Sequence, residues 1–272
     1  MGLARFSLFG LPFFLTHQQI CLQSKSLNLN RIDYPQYIPT TVTPFIETKK
    51  NLLLTGQYMG ALPLNKVDTF KFTARVDFQT NEVDFVNSYP KDLYGNNYNW
   101  EGEIFTTVFS TIHPDGDKLV CSFPVSHNLQ IINLNNKKTQ EVYAGSNEVG
   151  NISSIEKSVR NVSREELVDQ IVKQDEYAAI LYDKYRKVYY RFLLKGLSSD
   201  DKKKSFKDKS IAVILMDKNF NYLGETTLGQ WKFWNWRNSF VTKEGLNIEY
   251  LDGNLDESGL TLKILNIKKK HS

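Results

Sequence analysis

The chain has 272 residues, 41% of them hydrophobic and 24% charged, with a formal net charge of +4. That is ordinary composition for a folded chain, enough to bury one large core or two small ones. Much of the positive excess sits in Asp200-Asp201-Lys202-Lys203-Lys204 with Lys207 and Lys209, and in Lys268-Lys269-Lys270. These read as a solvated loop and tail, which excludes the concentrated basic face that a nucleic-acid binder needs. The two cysteines, Cys21 and Cys121, are too few for a disulfide-rich secreted scaffold and lie in apolar, strand-like runs. Aromatic residues make up 13% of the chain and favour pleated, partly buried surfaces.

Met1 to Leu15 has the outline of a signal peptide, with a short basic start and an apolar stretch. No small-x-small site follows, and the stretch is too short to span a bilayer. Membrane association is therefore expected only through a missing or atypical N-terminal anchor. Phe13 to Ile32 reads as two strands, and Tyr34 to Pro44, with Pro35, Pro39 and Pro44, reads as a connection.

Asn51 to Ala61 is the next expected strand. Phe70 to Phe78 alternates with period two, and Gln79-Thr80-Asn81 joins it to Glu82 to Val86 as a hairpin. Phe105 to Ile112 leads into the turn His113-Pro114-Asp115-Gly116-Asp117, in which Pro presets the backbone and Gly tolerates left-handed geometry. Leu119 to Phe123, Leu129 to Leu134 and Glu141 to Tyr143 complete a group of adjacent antiparallel strands.

Residues 145–174 break the β pattern as a partly helical insertion. Ser163-Arg164-Glu165-Glu166 fits a capping box ahead of Leu167, Ile171 and Val172, so one short helix is expected near 163–174. Strands resume at Tyr177 to Tyr182, Val188 to Leu194, Ile211 to Met216 and from Tyr222, followed by Ser239 to Val241, Leu246 to Leu251 and Leu260 to Ile267. Strand, tight polar turn, strand and looser connection recur along the chain. Small repeated meanders of this kind point to the blades of a β-propeller, with a β-sandwich as the rival.

His113-Pro114-Asp115-Gly116-Asp117-Lys118-Leu119 resembles the Pro-Asp-Gly hairpin of TolB-like propellers. Tyr182 to Phe192 and Met216 to Gly224 are similar to an uncharacterised family of bacterial envelope propellers, many of them lipoproteins. The resemblance implies a six-bladed propeller in the bacterial envelope or periplasm, and it carries no catalytic residues. The expectation is thus a single all-β domain over 1–272, a propeller of the six-bladed type shortened at its N-terminus to about five blades.

No glycine-rich phosphate cradle or nucleophile elbow is present, and neither a cofactor nor a metal site is expected. His113 flanks a hairpin. Arg191 is suited to line a central channel or to hold a carboxylate by its rigid fork. Trp231, Trp234 and Trp236, with Phe233, are suited to form a sugar or peptide platform, or to pack between blades. These residues support a non-catalytic scaffold that binds a protein, peptide or glycan. The alternative is an envelope hydrolase or lyase with its active site in the propeller funnel, built from clustered His, Asp or Arg groups.

Overall fold

The computed structural model describes residues 34–95, 98–148, 152–155, 162–198, 205–251 and 259–267. Among them are four antiparallel sheets, each made from consecutive strands. The first holds β1 (Ile46–Glu47), β2 (Asn51–Thr55), β3 (Lys71–Asp77) and β4 (Val83–Ser88). A single turn of helix, α1 (Lys91–Tyr94), follows. The second sheet holds β5 (Phe109–Ile112), β6 (Lys118–Ser122), β7 (Asn128–Asn133) and β8 (Thr139–Tyr143). Helix α2 (Arg164–Lys173) leads into the third sheet. That sheet holds β9 (Glu176–Asp183), β10 (Val188–Lys195), β11 (Ser210–Asp217) and β12 (Tyr222–Gln230). The fourth holds β13 (Trp234–Val241), β14 (Leu246–Tyr250) and β15 (Leu262–Leu265).

The leading strands of the last three sheets face one another. Both β5 and β13 pack on β9, and Val42, just ahead of β1, joins the same core. This is the arrangement of a β-propeller, with four blades among the described residues and with β5, β9 and β13, the first strands of the last three, toward the axis. The strands expected at Phe13 to Ile32 lie outside the described residues.

Strand burial follows from this placement. The third sheet has neighbours on both faces, so β9 and β10 are apolar and buried almost throughout rather than alternating. Outer strands such as β8 and β12 are largely exposed and carry the polar residues. A second core lies between the first two sheets. There Phe72, Tyr89, Tyr94 and Phe123 meet edge to face, with centroids 4.9 to 6.3 Å apart. The Tyr89 hydroxyl donates to Thr106 O at 2.6 Å and accepts from Tyr58 N at 3.1 Å, so its burial leaves no polar atom unpaired. Cys121 lies in this core as a free thiol, and burial pushes its pKa up.

Local chemistry sets the boundaries. At α2, Ser163 Oγ accepts from Glu166 N and the Glu166 carboxylate accepts from Ser163 N, so both halves of the expected capping box form. The strand from Asn51 stops at Thr55, short of the expected Ala61: Gly56 N still donates to Phe72 O, but Gln57 pairs with Gln36 instead. The strand expected from Phe105 begins at Phe109. A short 3-10 turn, Glu103–Phe105, comes first, and Thr106 Oγ1 ties it to Tyr58 O at 2.8 Å. No helix among the described residues is long and apolar enough to cross a membrane.

Candidate functional site

Residues near the starts of the inner strands enclose a cavity of about 240 Å³. Phe109 comes from β5, Glu176 and Ala178 from β9, and Trp236 and Arg237 from β13. Period two along β9 puts Glu176 and Ala178 on one face. Residues 34–43 pass over the cavity as a strap. Gln36 pairs with Gln57 through two backbone hydrogen bonds of 2.9 and 3.1 Å, and Thr41 Oγ1 donates to Arg237 O at 3.0 Å. The strap therefore joins the first sheet to the fourth across the axis. Gly56 is needed for its close approach, since a Cβ there would lie 2.8 Å from Gln36 O.

Glu176 is the most unusual group in the cavity wall. It is 2% exposed, and its Oε1 lies 3.2 Å from the Lys209 ammonium, itself 0% exposed. Lys209 donates to Ile171 O at 3.0 Å and Gln174 O at 2.7 Å, which satisfies carbonyls left open at the end of α2. Burial pushes the Glu176 carboxyl above its ordinary range, against the pull of Lys209 and Arg237. Burial also pushes Lys209 down, against the pull of Glu176 and Asp175. The sequence reading had placed Lys209 in a solvated loop. It is buried because the fold brings the helix end and the start of β9 to its ammonium.

Three residues of the cavity wall hold stranded polar atoms. Glu176 Oε2, Thr55 Oγ1 and Trp236 Nε1 are buried and have no hydrogen-bond partner in the protein. Each such atom costs roughly 1–3 kcal/mol when left unpaired. All three residues line the same cavity, so the cost is concentrated at one place. Trp236 stands edge to face against Phe109 with centroids 5.7 Å apart, and the Arg237 guanidinium lies 5.3 Å from the ring centroids of both Trp231 and Trp236.

The structure distributes the sequence-predicted residues widely. Trp236 lines the cavity, and Trp231 packs beside it at 5.6 Å between ring centroids. Trp234 instead packs on Tyr250 at 5.0 Å within the fourth sheet. His113 sits at the hairpin end of β5, opposite the end that supplies Phe109. Its Nδ1 lies 3.2 Å from Asp115 Oδ2, and its ring faces Phe220 and Tyr189 at 5.9 and 6.4 Å. Arg191 is fully buried in β10. Its guanidinium donates to Ser122 Oγ (3.0 Å), His127 O (2.7 Å), Ala144 O (3.0 Å) and Ser126 O (2.7 Å), and lies 3.7 Å from the centroid of the Tyr177 ring. The carboxylate partner expected of it is replaced by backbone carbonyls of the second sheet, so Arg191 rivets two blades together.

Sequence reasoning missed Thr55, Glu176, Lys209 and Arg237. Arg237 adjoins the noted tryptophans, and Asp175-Glu176 is an acidic pair at the head of an apolar strand, the one signal that marked this position. Among the described residues, no group of three or more His, Cys, Asp or Glu is placed to share a metal ion.

The model for a domain of unknown function, DUF4221, matches residues 16–227. A search of curated proteins finds no match. A member of the DUF4221 family from Bacteroides vulgatus superposes with a TM-score of 0.61 at 20% identity, over 83% of this chain and 65% of that one. The chain thus spans less than two thirds of that protein's length, and the likeness is one of fold. The acylaminoacyl peptidase of Pyrococcus horikoshii matches with a TM-score of 0.39 at 8% identity, over 78% of this chain and 29% of that one. Hydrazine synthase of Kuenenia stuttgartiensis gives 0.34 at 12% identity, over 84% of this chain and 58% of that one, and neither score carries an argument. Since the family model covers well over half of the 272 residues, the chain belongs to the DUF4221 family, described as a domain of unknown function.

Proposed function

We propose that the chain is a non-catalytic propeller scaffold that binds part of a glycan, peptide or protein in its axial cavity. The observation that carries this reading is a cavity on the axis framed by aromatic residues and lined by Thr55, Glu176 and Trp236, each of which holds a buried polar atom without a partner. Ligand sites are typically apolar concavities with a few placed polar groups. The cavity, at about 240 Å³, lies below the ~300–1,000 Å³ common for whole ligands, so it admits one unit of a larger molecule. The TolB-like character and the envelope location implied by the sequence resemblance belong to the same proposal. Fractionation of bacteria expressing the full-length chain tests the location, and recovery in the cytoplasm alone overturns it.

The binding reading is tested by passing the full chain over immobilised glycans and peptides. Retention is expected, and it is expected to fall for Arg237→Ala at the exposed rim and to vanish for Ala178→Leu, which fills the cavity. Circular dichroism and urea unfolding establish that both variants fold. Retention unchanged in both variants, or no retention by the parent chain, overturns the reading.

A further inference from the structure

We propose that residues 20–32 of the chain dock on the outer face of the first sheet and cover it. Cross-strand partners share a face. The pairs Leu52↔Val76, Leu54↔Ala74, Ala74↔Phe85 and Val76↔Val83 therefore put six apolar residues on one side of β2, β3 and β4. The other side carries Ile46 and Leu53, which are buried in the core shared with the second sheet. The six belong to neither core, none of them is fully buried, and Val83 is 50% exposed. Phe72, at the head of β3, leaves their row to join Tyr89 and Phe123 in the second core. An antiparallel sheet that meets water on one face carries polar residues there. This face is apolar on three adjacent strands, the pattern of a surface built to be covered.

The chain itself leads to the face. Tyr34, the first described residue, lays its ring against Phe85 with centroids 5.3 Å apart. The segment 20–32 ends just ahead of it and lies inside the stretch matched by the family model, residues 16–227. Its pattern suits the role. Ile20 and Leu22 flank Cys21, and Leu27 and Leu29 alternate with Asn28 and Asn30, so each run offers an apolar side. Extended, Leu27 to Ile32 runs about 20 Å, enough to follow most of the seven residues of β3.

The test uses the full chain with Leu29 replaced by the photo-reactive p-benzoylphenylalanine, prepared as a mixture of light and heavy isotope chains. Irradiation is expected to give adducts within one chain, mapping by mass spectrometry to residues 51–88. Adducts confined to other sheets, adducts only between light and heavy chains, or no adduct at all overturn the proposal, and the second of these assigns the face to another copy. Hydrogen exchange is the independent measurement. Residues 27–32 are expected to be protected in the parent and to exchange about tenfold faster in Val76→Lys, which puts a charge in the middle of the face. Val83→Lys, at the half-exposed edge, is the milder second variant. Unchanged protection in β9 to β11 shows that each variant is folded. No protection of residues 27–32 in the parent, or equal protection in parent and folded variants, overturns the docking.

Discussion

Arg191 carries its charge inside the protein with no carboxylate among its hydrogen-bond partners. Burial pushes its pKa down to about 10, so it is still charged at neutral pH. It donates to three carbonyls beside the strands of the second sheet, of which His127 O also accepts from Ala144 N, and the Tyr177 ring lies against its face. Arg191→Met keeps much of the volume and removes the guanidinium donor from Ser126 O and Ala144 O, while His127 O keeps its bond from Ala144 N. We expect it to cost about 3 kcal/mol or more in urea unfolding, since each stranded polar group costs roughly 1–3 kcal/mol. Arg191→Lys restores the charge but not the planar fork, and an intermediate loss is expected. A Met variant with the parent's midpoint would show that the rivet contributes nothing. Arg191 stood out in the sequence as a cation in an apolar strand. Its partners did not, because they are backbone atoms more than 40 residues away in the chain.

Hairpin turns share one device. Asp77, Asn133, Asp183 and Asp217 each end a strand and accept backbone N–H bonds through Oδ1 from residues two to four positions on. Asn81, Lys137, Lys187 and Phe220 then adopt left-handed geometry, with φ of 57°, 59°, 58° and 66°, and return the chain. Backbone bonds from Thr80 and Gln79 hold the Asp77 carboxyl below its ordinary range. Burial works upward on Asp217, but bonds from Asn221 and Asn219 overcome it and bring that carboxyl below its ordinary range as well. A depressed folded-state pKa contributes stability above the ordinary carboxylate value and loses it as pH falls through the lowered one. We therefore expect the urea midpoint to fall on acidification through that window, and to fall less in Asp77→Asn/Asp217→Asn. Asn keeps the acceptor without titrating, as Asn133 already does in the second sheet. An equal acid loss in the double variant would remove the turns as its cause.

These elements were legible for the same reason that they are local. Period-two alternation in Phe70 to Phe78 and the capping box at Ser163 are complete within a few residues, so nothing distant can overrule them. Trp231, Trp234 and Trp236 read as one run. In the fold, Trp236 faces the axis while Trp234 packs on its cross-strand partner Tyr250. Of the cavity, the sequence reading reached only Trp236. Thr55, Glu176, Lys209 and Arg237 come from four separate parts of the chain, and only sheet-on-sheet packing decides which of them is taken out of water.

At the scale of the molecule, the strap over the cavity is held by few bonds, while the third sheet is laced by three long strand pairings, two of them with bulges. Gly56→Ala places a methyl group 2.8 Å from Gln36 O and 2.9 Å from the Pro35 side chain. Hydrogen exchange is expected to show lost protection at Gln36 and Gln57 in this variant, with β9 to β12 unchanged. Protection retained at Gln36 would mean that the strap is held by something other than its fit to Gly56.

Among the described residues, each sheet is assembled from strands that follow one another in the chain, and no strand crosses from one sheet into another. Chain closure between paired strands thus spans at most about fifteen residues, from Thr55 to Lys71, and lengthening a loop costs entropy only slowly. The slow part of folding is left to the docking of finished sheets about the axis, where residues such as Arg191 and Lys209 are buried. Each sheet can form while the rest of the protein is still being synthesised, and the axial cavity exists only once the last of its walls has arrived.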